Sequence, residues 1–227
     1  DGIRDRSPSR GLGDVYKRQD PRNVETFTIG SSTYAIVTAH DDDGVQIIDV
    51  SDPTNILAID AVADGDTDSN GDTFTELNGP AGVDTFTIDS STYAIITSIE
   101  GDGVQMIDIS DPTNILATDA VADGDTDSNG DTFTELTDPR NVETFTIGSS
   151  TYAIVTAFGD HGVQIIDVSD PTDILATDAV NDEDTDSNGG TFEKLRKARG
   201  VDTFTIGSSM YALSLIHISE PTILTPM

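Results

Sequence analysis

Residues 33–57 read TYAIVTAHDDDGVQIIDVSDPTNIL, and nearly the same stretch returns at 92–116 and at 151–175. The copies lie 59 residues apart, and the run TFTI, first seen at 26–29, keeps this spacing and occurs four times. Self-similarity at a fixed period is the sequence signature of a repeat architecture, in which each repeat is one supersecondary unit. The chain is therefore a tandem array with three full units and the beginning of a fourth.

Each unit contains four short apolar runs rich in β-branched and aromatic residues, which predicts four strands and no helix. In the first unit the runs cover 22–29, 33–39, 44–50 and 56–63. Gly30 lies in a tight turn after the first run, and Asp52 and Pro53 supply turn chemistry after the third. The sequence therefore predicts an all-β chain of short antiparallel strands.

The two middle strands of each unit carry apolar residues on both faces, as the pairs at 36–37 and 47–48 show. A sheet with two apolar faces must be covered twice, and the radially stacked blades of a propeller do this. An immunoglobulin-like module buries one face per sheet and usually needs roughly 100 residues. We therefore predict a fragment of a β-propeller built from four-stranded antiparallel blades. Propellers close with about 4 to 8 blades, so further blades of the same chain are predicted partners.

The two ends of the chain differ from the array. Residues 9–19 (SRGLGDVYKRQ) and 213–222 (LSLIHISEPT) resemble the two complementary translations of a transposase adapter used in sequencing libraries. We therefore expect segments 1–19 and 213–227 to be adapter-derived, so that Tyr16, Lys17, Arg18 and His217 carry no functional information. The predicted units are blade 1 at 20–78, blade 2 at 79–137, blade 3 at 138–196 and the start of blade 4 at 197–212.

The run GVQIIDVSDPTNIL, preceded by TYAIVTA, resembles the LVIVD-type propeller repeat of bacterial and archaeal surface proteins. The resemblance covers 34–57, 93–116 and 152–175. It implies a secreted or cell-surface propeller with no well-defined activity. The Asp-rich loop that follows each copy is extra to that pattern.

Charge excludes several classes of partner. Residues 20–212 hold 6 Lys and Arg against 38 Asp and Glu, a net charge of −32. Such a surface repels nucleic acid and anionic lipid. There is no cysteine, which excludes disulfides and thiolate metal sites, and no apolar run reaches the length of about 18 residues needed to insert into a membrane.

Each unit ends in an Asp-rich loop, at 64–72, 123–131 and 182–190, with the pattern D-x-D-x-N-G. This resembles the first half of an EF-hand loop, in which oxygens at alternate positions converge on calcium. The predicted calcium ligands are Asp66, Asp68, Asn70, Asp72, Asp125, Asp127, Asn129, Asp131, Asp184, Asp186 and Asn188.

The loops also depart from the EF-hand pattern. The twelfth position should be a bidentate Glu, but Leu77, Leu136 and Leu195 stand there, with Glu76 and Glu135 one residue earlier and Glu193 two earlier. Gly190 replaces Asp at the seventh position of the third copy. We therefore expect a weaker or differently completed calcium site, and the alternative is a solvated turn rich in Asp, Asn and Gly.

No catalytic set stands out, because the repeats are nearly uniform and carboxylates are abundant. His40 and His161 occupy different repeat positions and are expected to be loop residues. Arg22, Arg140 and Arg199 open the innermost strands, where they would either ring a central channel or pair with acidic residues. The second unit has Ala81 at this position, which weakens such a ring.

These observations predict a non-enzymatic, extracellular or cell-surface module with structural, adhesive or protein-interaction roles, stabilised by calcium and facing other surface proteins or glycans. The alternative is a fragment of a hydrolytic or carbohydrate-binding propeller enzyme whose site lies in other blades. A third hypothesis is a binding module with a ligand in the channel, which channel-lining residues that differ between blades would favour.

Overall fold

The computed structural model describes residues 20–216. These residues form fourteen strands and a single turn of 3-10 helix at His40–Asp42. Strands β1 to β4 form blade 1, at Pro21–Ile29, Ser32–Ala39, Gly44–Asp49 and Leu57–Ala63. Strands β5 to β8 form blade 2, at Pro80–Ile88, Ser91–Ser98, Gly103–Asp108 and Leu116–Ala122. Strands β9 to β12 form blade 3, at Pro139–Ile147, Ser150–Ala157, Gly162–Asp167 and Leu175–Asn181, and β13 and β14 begin blade 4, at Ala198–Ile206 and Ser209–Ile216.

Within each blade, consecutive strands pair antiparallel, so blades 1 to 3 are four-stranded meanders and blade 4 contributes two strands. This confirms the predicted all-β class and the four-stranded antiparallel units. The segment Leu213–Ile216, which was assigned to the adapter, continues β14, and the remaining residues of both predicted adapter segments lie outside the described residues. No helix in the described part of the chain is long and apolar enough to cross a membrane.

Local chemistry explains the turns. Gly30 and its repeat equivalents Gly148 and Gly207 have φ values of 63 to 67°, the left-handed region that glycine enters without steric cost. In the turn between β3 and β4, the Asp52 carboxylate accepts hydrogen bonds from the backbone N–H of Thr54 (2.9 Å) and from its hydroxyl (2.7 Å). The sequence had predicted this turn from the same Asp.

The core lies between blades. Side chains of blades 1 and 2 form one buried cluster, and side chains of blades 2 and 3 form a second. Ile95 and Ile96 are neighbours in β6, yet Ile95 packs in the second cluster and Ile96 in the first. The two apolar faces predicted for the middle strands are therefore both buried, each against a different neighbouring blade.

A linker joins the last strand of each blade to the first strand of the next. Its Phe74 and Leu77, like Phe133 and Leu136 in the next copy, are completely buried. The side-chain Oε1 of Gln105 in β7 accepts hydrogen bonds from the backbone N–H of Thr75 (3.0 Å) and Glu76 (3.1 Å). Gln164 binds the third blade to the second linker in the same way. We call this contact the glutamine latch.

Blade 1 presents one face that no other described blade covers. Val24 is 55% exposed, whereas its repeat equivalents Val83 and Val142 are 3% and 1% exposed. Gln46 occupies the latch position on this face, and its amide donates to the carbonyls of Ile47 and Asp60. Within the described residues, no linker donates to its Oε1.

The latch predicts a difference between two equivalent glutamines. Gln105→Ala leaves two part-buried backbone N–H groups without their acceptor, and we expect it to destabilise the chain by about 1 kcal/mol. Gln46→Ala removes the same donated bonds but no latch, so its effect on thermal unfolding, followed by circular dichroism, should be clearly smaller. Equal losses of stability in the two variants would show that the latch contributes nothing.

Candidate functional site

The first strand of each blade is the innermost one. Strand β1 contacts β5, β5 contacts β9 and β9 contacts β13, so equivalent residues of successive repeats lie side by side. Side-chain bonds cross the blade boundaries here: Asn141 of β9 accepts a hydrogen bond from the backbone N–H of Val201 in β13 (3.1 Å), and Thr38 of β2 donates to the carbonyl of Ala81 in β5 (2.8 Å). This row of inner strands forms the wall of the channel. The side chains of these strands therefore form the candidate site.

An acidic residue stands at one position of every inner strand, which gives the series Glu25, Asp84, Glu143 and Asp202. We call this set the carboxylate row. Asp84 is held across the blade boundary, because one of its oxygens accepts the backbone N–H and the hydroxyl of Thr144, both at 2.6 Å. The row therefore brings carboxylates of different blades together in a fixed arrangement.

Glu143 lies inside this row. Its burial, with the nearby charges of Asp84, Asp202 and Glu25, raises its pKa to about 7. A carboxylate that is partly desolvated and surrounded by like charges keeps its proton to higher pH. Glu143 is therefore a proton donor near neutral pH, beside acids that can act as acceptors.

Basic side chains gather at the end of the channel where the inner strands begin. The Arg140 and Arg199 guanidinium carbons lie 5.0 and 4.6 Å from the centre of the Phe158 ring, and the Lys197 ammonium lies 5.4 Å from it. We call these four residues the Phe158 cluster. A cavity nearby is lined by polar and apolar residues from blades 1 to 4: Arg22, Asn23, Ala81, Ile99, Arg140, Asn141 and Arg199.

The sequence left two arrangements open for the arginines, pairing with acidic residues or lining a central channel. Two of the arginines pair with acidic residues, and all three line one cavity. Arg22 and Arg140 pair with Asp20 and Asp138 two residues earlier, at 2.6 and 2.7 Å. These two arginines and Arg199 also line the cavity together, although Ala81 interrupts the series. His161 lies in a loop of blade 3, where its Nδ1 is 3.0 Å from the carbonyl of Phe158.

In the described residues, one group of side chains brings possible metal-binding atoms within 4.8 Å of one another: Asp20, His40 and Asp41. Two of its members are already engaged with neighbours. Asp20 binds Arg22, and the His40 Nδ1 lies 3.1 Å from Asp41. In blades 2 and 3 the histidine position holds Ile99 and Phe158, so the group is not repeated there.

The predicted calcium loops use much of their carboxylate capacity within the protein. Asp68 accepts the backbone N–H groups of Asn70, Gly71 and Asp72 with one oxygen, at 2.8 to 3.0 Å, and Ala117 of the next blade with the other, at 3.0 Å. Burial acts to raise its pKa, but these four bonds outweigh burial and lower it. The loop is therefore a clip between blades as well as a turn.

The second and third loops follow the first. Asp66, Asp125 and Asp184 each accept a backbone N–H three residues earlier, at 2.9 Å. Asp127 repeats the clip through Ala176, whereas Asp186 bonds within its own loop. The other predicted ligands are exposed: Asn70, Asp72, Asn129, Asp131 and Asn188. Leu77 and Leu136, at the position where an EF-hand has Glu, are core residues.

Two acids of the linkers are shielded from solvent instead, since Glu135 is buried and Glu76 is half-buried. Glu135 is 8% exposed, and its Oε2 has no hydrogen-bond partner in the described residues. Burial raises its pKa despite a bond from Asn181. In the preceding linker, burial and the charges of Asp64, Asp125 and Asp102 raise the pKa of Glu76 to about 7. The sequence pattern had assigned these two residues only as displaced calcium ligands.

The fold of this chain is similar to that of several known structures. No family model matches the chain, and no curated protein matches it. An exo-β-1,3-galactanase from Phanerochaete chrysosporium superimposes with a TM-score of 0.54 at 10% identity, over 87% of this chain and 44% of that one. A protein from Lactobacillus plantarum gives 0.52 at 11%, over 86% and 50%, and a GH43 β-1,3-galactosidase gives 0.50 at 8%, over 84% and 39%.

The chain has the β-propeller fold. It spans half or less of the length of these structures. Two of the three are named as enzymes that act on galactosides, and this finding contradicts the prediction of a non-enzymatic module and favours the hydrolytic alternative. The wrong prediction came from the uniformity of the repeats, whereas equivalent positions that line the cavity differ between blades, as Arg22 and Ala81 show.

Two signals in the sequence could have pointed to this site. The carboxylate row places an acidic residue directly after a valine at the same position of the inner strand in all four copies. In addition, four of the six basic residues in 20–212 fall within 194–199, where the repeat pattern breaks. The 59-residue period does not mark either signal as functional, because a repeat pattern shows only what the copies share.

The calcium prediction remains to be measured. If the loops bind calcium, a concentration of 100 times the dissociation constant adds about 2.7 kcal/mol and raises the melting temperature by several degrees. We expect this shift with calcium and not with magnesium at a fixed ionic strength. Identical melting curves with calcium, magnesium and a chelator would assign the loops to hydrogen bonding alone.

The half-buried acid Glu76 predicts a pH-dependent stability. Because its pKa rises from 4.5 to about 7 on folding, its favourable contribution is complete below pH 4.5 and is lost as the pH rises through 7. Glu76→Gln should therefore raise the melting temperature by roughly 2 °C at pH 8 and leave it unchanged at pH 4.5. The exposed Glu193→Gln is the control, and a pH-independent effect of Glu76→Gln would refute this explanation.

Proposed function

We propose that this chain is part of a hydrolytic β-propeller that cleaves glycosidic bonds at the carboxylate row. The observation that carries the proposal is the convergence of Glu25, Asp84, Glu143 and Asp202 on the channel wall, one from each inner strand. Glycoside hydrolysis ordinarily needs two carboxyl groups, one that donates a proton and one that is ionised. The row offers both within one site.

Glu143 is the general acid in this proposal. Its raised pKa, about 7, keeps it protonated at mildly acidic pH, so it can donate its proton to the oxygen of the leaving sugar. Asp84 is the second carboxylate. The N–H and hydroxyl of Thr144 hold its carboxylate in place, which favours catalysis because the reacting groups are already oriented.

Two further observations support a carbohydrate substrate. The galactanase and the galactosidase share the propeller fold with this chain. Polar and aromatic side chains lie near the same channel, including Asn23, Asn141 and Phe158, and such groups bind the hydroxyls and the apolar faces of sugars. A location outside the cell, predicted from the sequence, is consistent with a polymeric substrate and remains part of the proposal.

The test is hydrolysis of aryl β-galactosides and of β-1,3-linked galacto-oligosaccharides by the full chain. Glu143→Gln should lower kcat by at least about 100-fold with little change in KM, and Asp84→Asn should act similarly. Glu193→Gln, which removes an exposed acid outside the channel, should retain full activity. In the unaltered chain, kcat/KM should fall as the pH rises through about 7, because Glu143 then loses its proton.

Two results would contradict this proposal. Full activity of Glu143→Gln would remove Glu143 from the mechanism. A correctly folded chain that releases no sugar from any of these substrates would refute the hydrolytic function on this class of glycoside.

A further inference from the structure

The Phe158 cluster concentrates positive charge in a protein of net charge −31. Arg140, Lys197 and Arg199 come from two neighbouring blades and surround one aromatic ring within 5.4 Å of its centre. Each cation gains some energy from the ring face. Three like charges around one ring nevertheless repel one another, so this arrangement needs a further source of stabilisation.

Carboxylates of the protein neutralise only part of the positive charge of the cluster. Arg140 pairs with Asp138 at 2.7 Å, but its buried Nε has no hydrogen-bond partner in the described residues. Lys197 and Arg199 are exposed and form no salt bridge within the part of the chain that the structure describes. The cluster therefore retains an uncompensated positive charge and unused donors.

Among the blade boundaries that the structure describes, the cluster exists at one, between blades 3 and 4. Phe158 is replaced by His40 in blade 1 and by Ile99 in blade 2, and the positions equivalent to Lys197 hold Asp20, Gly79 and Asp138. Repeat structure alone would not produce it. It arises where the sequence departs from the repeat, in the basic segment 194–199.

The backbone at Lys197 adds an independent argument. Its φ is 61°, in the left-handed region, and the equivalent residues Asp20, Gly79 and Asp138 have φ values of 37, 67 and 51°. Gly and Asp tolerate this conformation, whereas a lysine there is uncommon. The backbone conformation does not explain why this position holds a lysine. A residue in an unfavourable conformation of this kind indicates a role for its side chain.

We propose that the Phe158 cluster binds the carboxylate of an acidic sugar unit, a uronate. Two guanidinium groups can hold a planar carboxylate through paired hydrogen bonds, Lys197 adds a point charge, and the Phe158 ring positions the three cations. The sugar in this assignment rests on the proposed function, whereas the anion site rests on the cluster itself.

The position of the cluster fits an extended substrate. Arg140 precedes Glu143 by three residues in β9, which corresponds to about 10 Å along a strand. A sugar held at the Phe158 cluster is therefore close enough to the carboxylate row for a neighbouring unit of the same chain to reach it. The acidic surface of the protein repels such a ligand over a range of only about 8 Å at physiological salt, so the local cations determine binding.

Calorimetric titration of the full chain tests the site without requiring turnover. The probes are digalacturonate, the neutral galactobiose and inorganic phosphate. We expect digalacturonate to bind at least about tenfold more tightly than galactobiose, as for a ligand held by charged hydrogen bonds, and its affinity to fall with added salt.

Three variants distinguish binding by the Phe158 cluster from a general effect of positive charge. Lys197→Gly places at this position the residue found in blade 2, so the fold should be retained or stabilised while digalacturonate affinity falls about tenfold. Arg199→Ala should have a similar effect. Lys194→Gln removes a cation from the same basic segment but outside the cluster and should leave the affinity unchanged.

Three outcomes would overturn the proposal. They are equal affinities for digalacturonate and galactobiose, equal effects of Lys197→Gly and Lys194→Gln, and phosphate binding that is tighter than digalacturonate binding, which would assign the site to phosphate esters. If the chain does not hydrolyse glycosides, the titration still tests this inference, because it measures binding directly. Conversely, hydrolysis of neutral galactosides without uronate binding would refute only this inference.

Discussion

The contact between each linker and the next blade is the interaction on which the architecture depends. A four-stranded sheet with two apolar faces is not stable alone, so each blade of this chain needs its neighbours. The linker inserts Phe74 and Leu77 into the interface, and Gln105 of the following blade accepts the two N–H groups between them. Burial supplies the free energy, while the glutamine fixes the register, because an amide in this interface would be costly without its partners.

The same constraint explains the acidic loops. Leu77 stands at the position where a calcium loop would carry its bidentate acid, because the blade interface requires an apolar side chain there. Asp68 is used as an acceptor for its own loop and for Ala117 of the next blade. Many carboxylates of this acidic chain therefore act as structural hydrogen-bond acceptors. The high negative charge reflects, in part, how this repeat satisfies the backbone at loops and at the outer strands.

Function depends on where the repeats differ or meet. The carboxylate row is repeated in every described blade, and burial between the inner strands, together with the charges of the neighbouring carboxylates, raises the pKa of Glu143 to about 7. The Phe158 cluster, in contrast, is present at one of the described boundaries. The repeated scaffold therefore has a channel wall that differs between blades, and the proposed hydrolytic function depends on this difference.

The sequence by itself determined the 59-residue period, the four strands of each unit with their turns, and the need for a neighbour on each face, because hydrophobic periodicity and turn residues such as Gly30 and Asp52 act locally. It also showed every residue of the carboxylate row and of the Phe158 cluster without indicating that they belong together. Only the tertiary structure decided that Glu143 lies among Asp84, Asp202 and Glu25, and that Lys197 and Arg199 meet Phe158 from the preceding blade. The physical reason is that proton affinity and ligand binding depend on distances across blade boundaries, and these are set by packing between residues far apart in the chain.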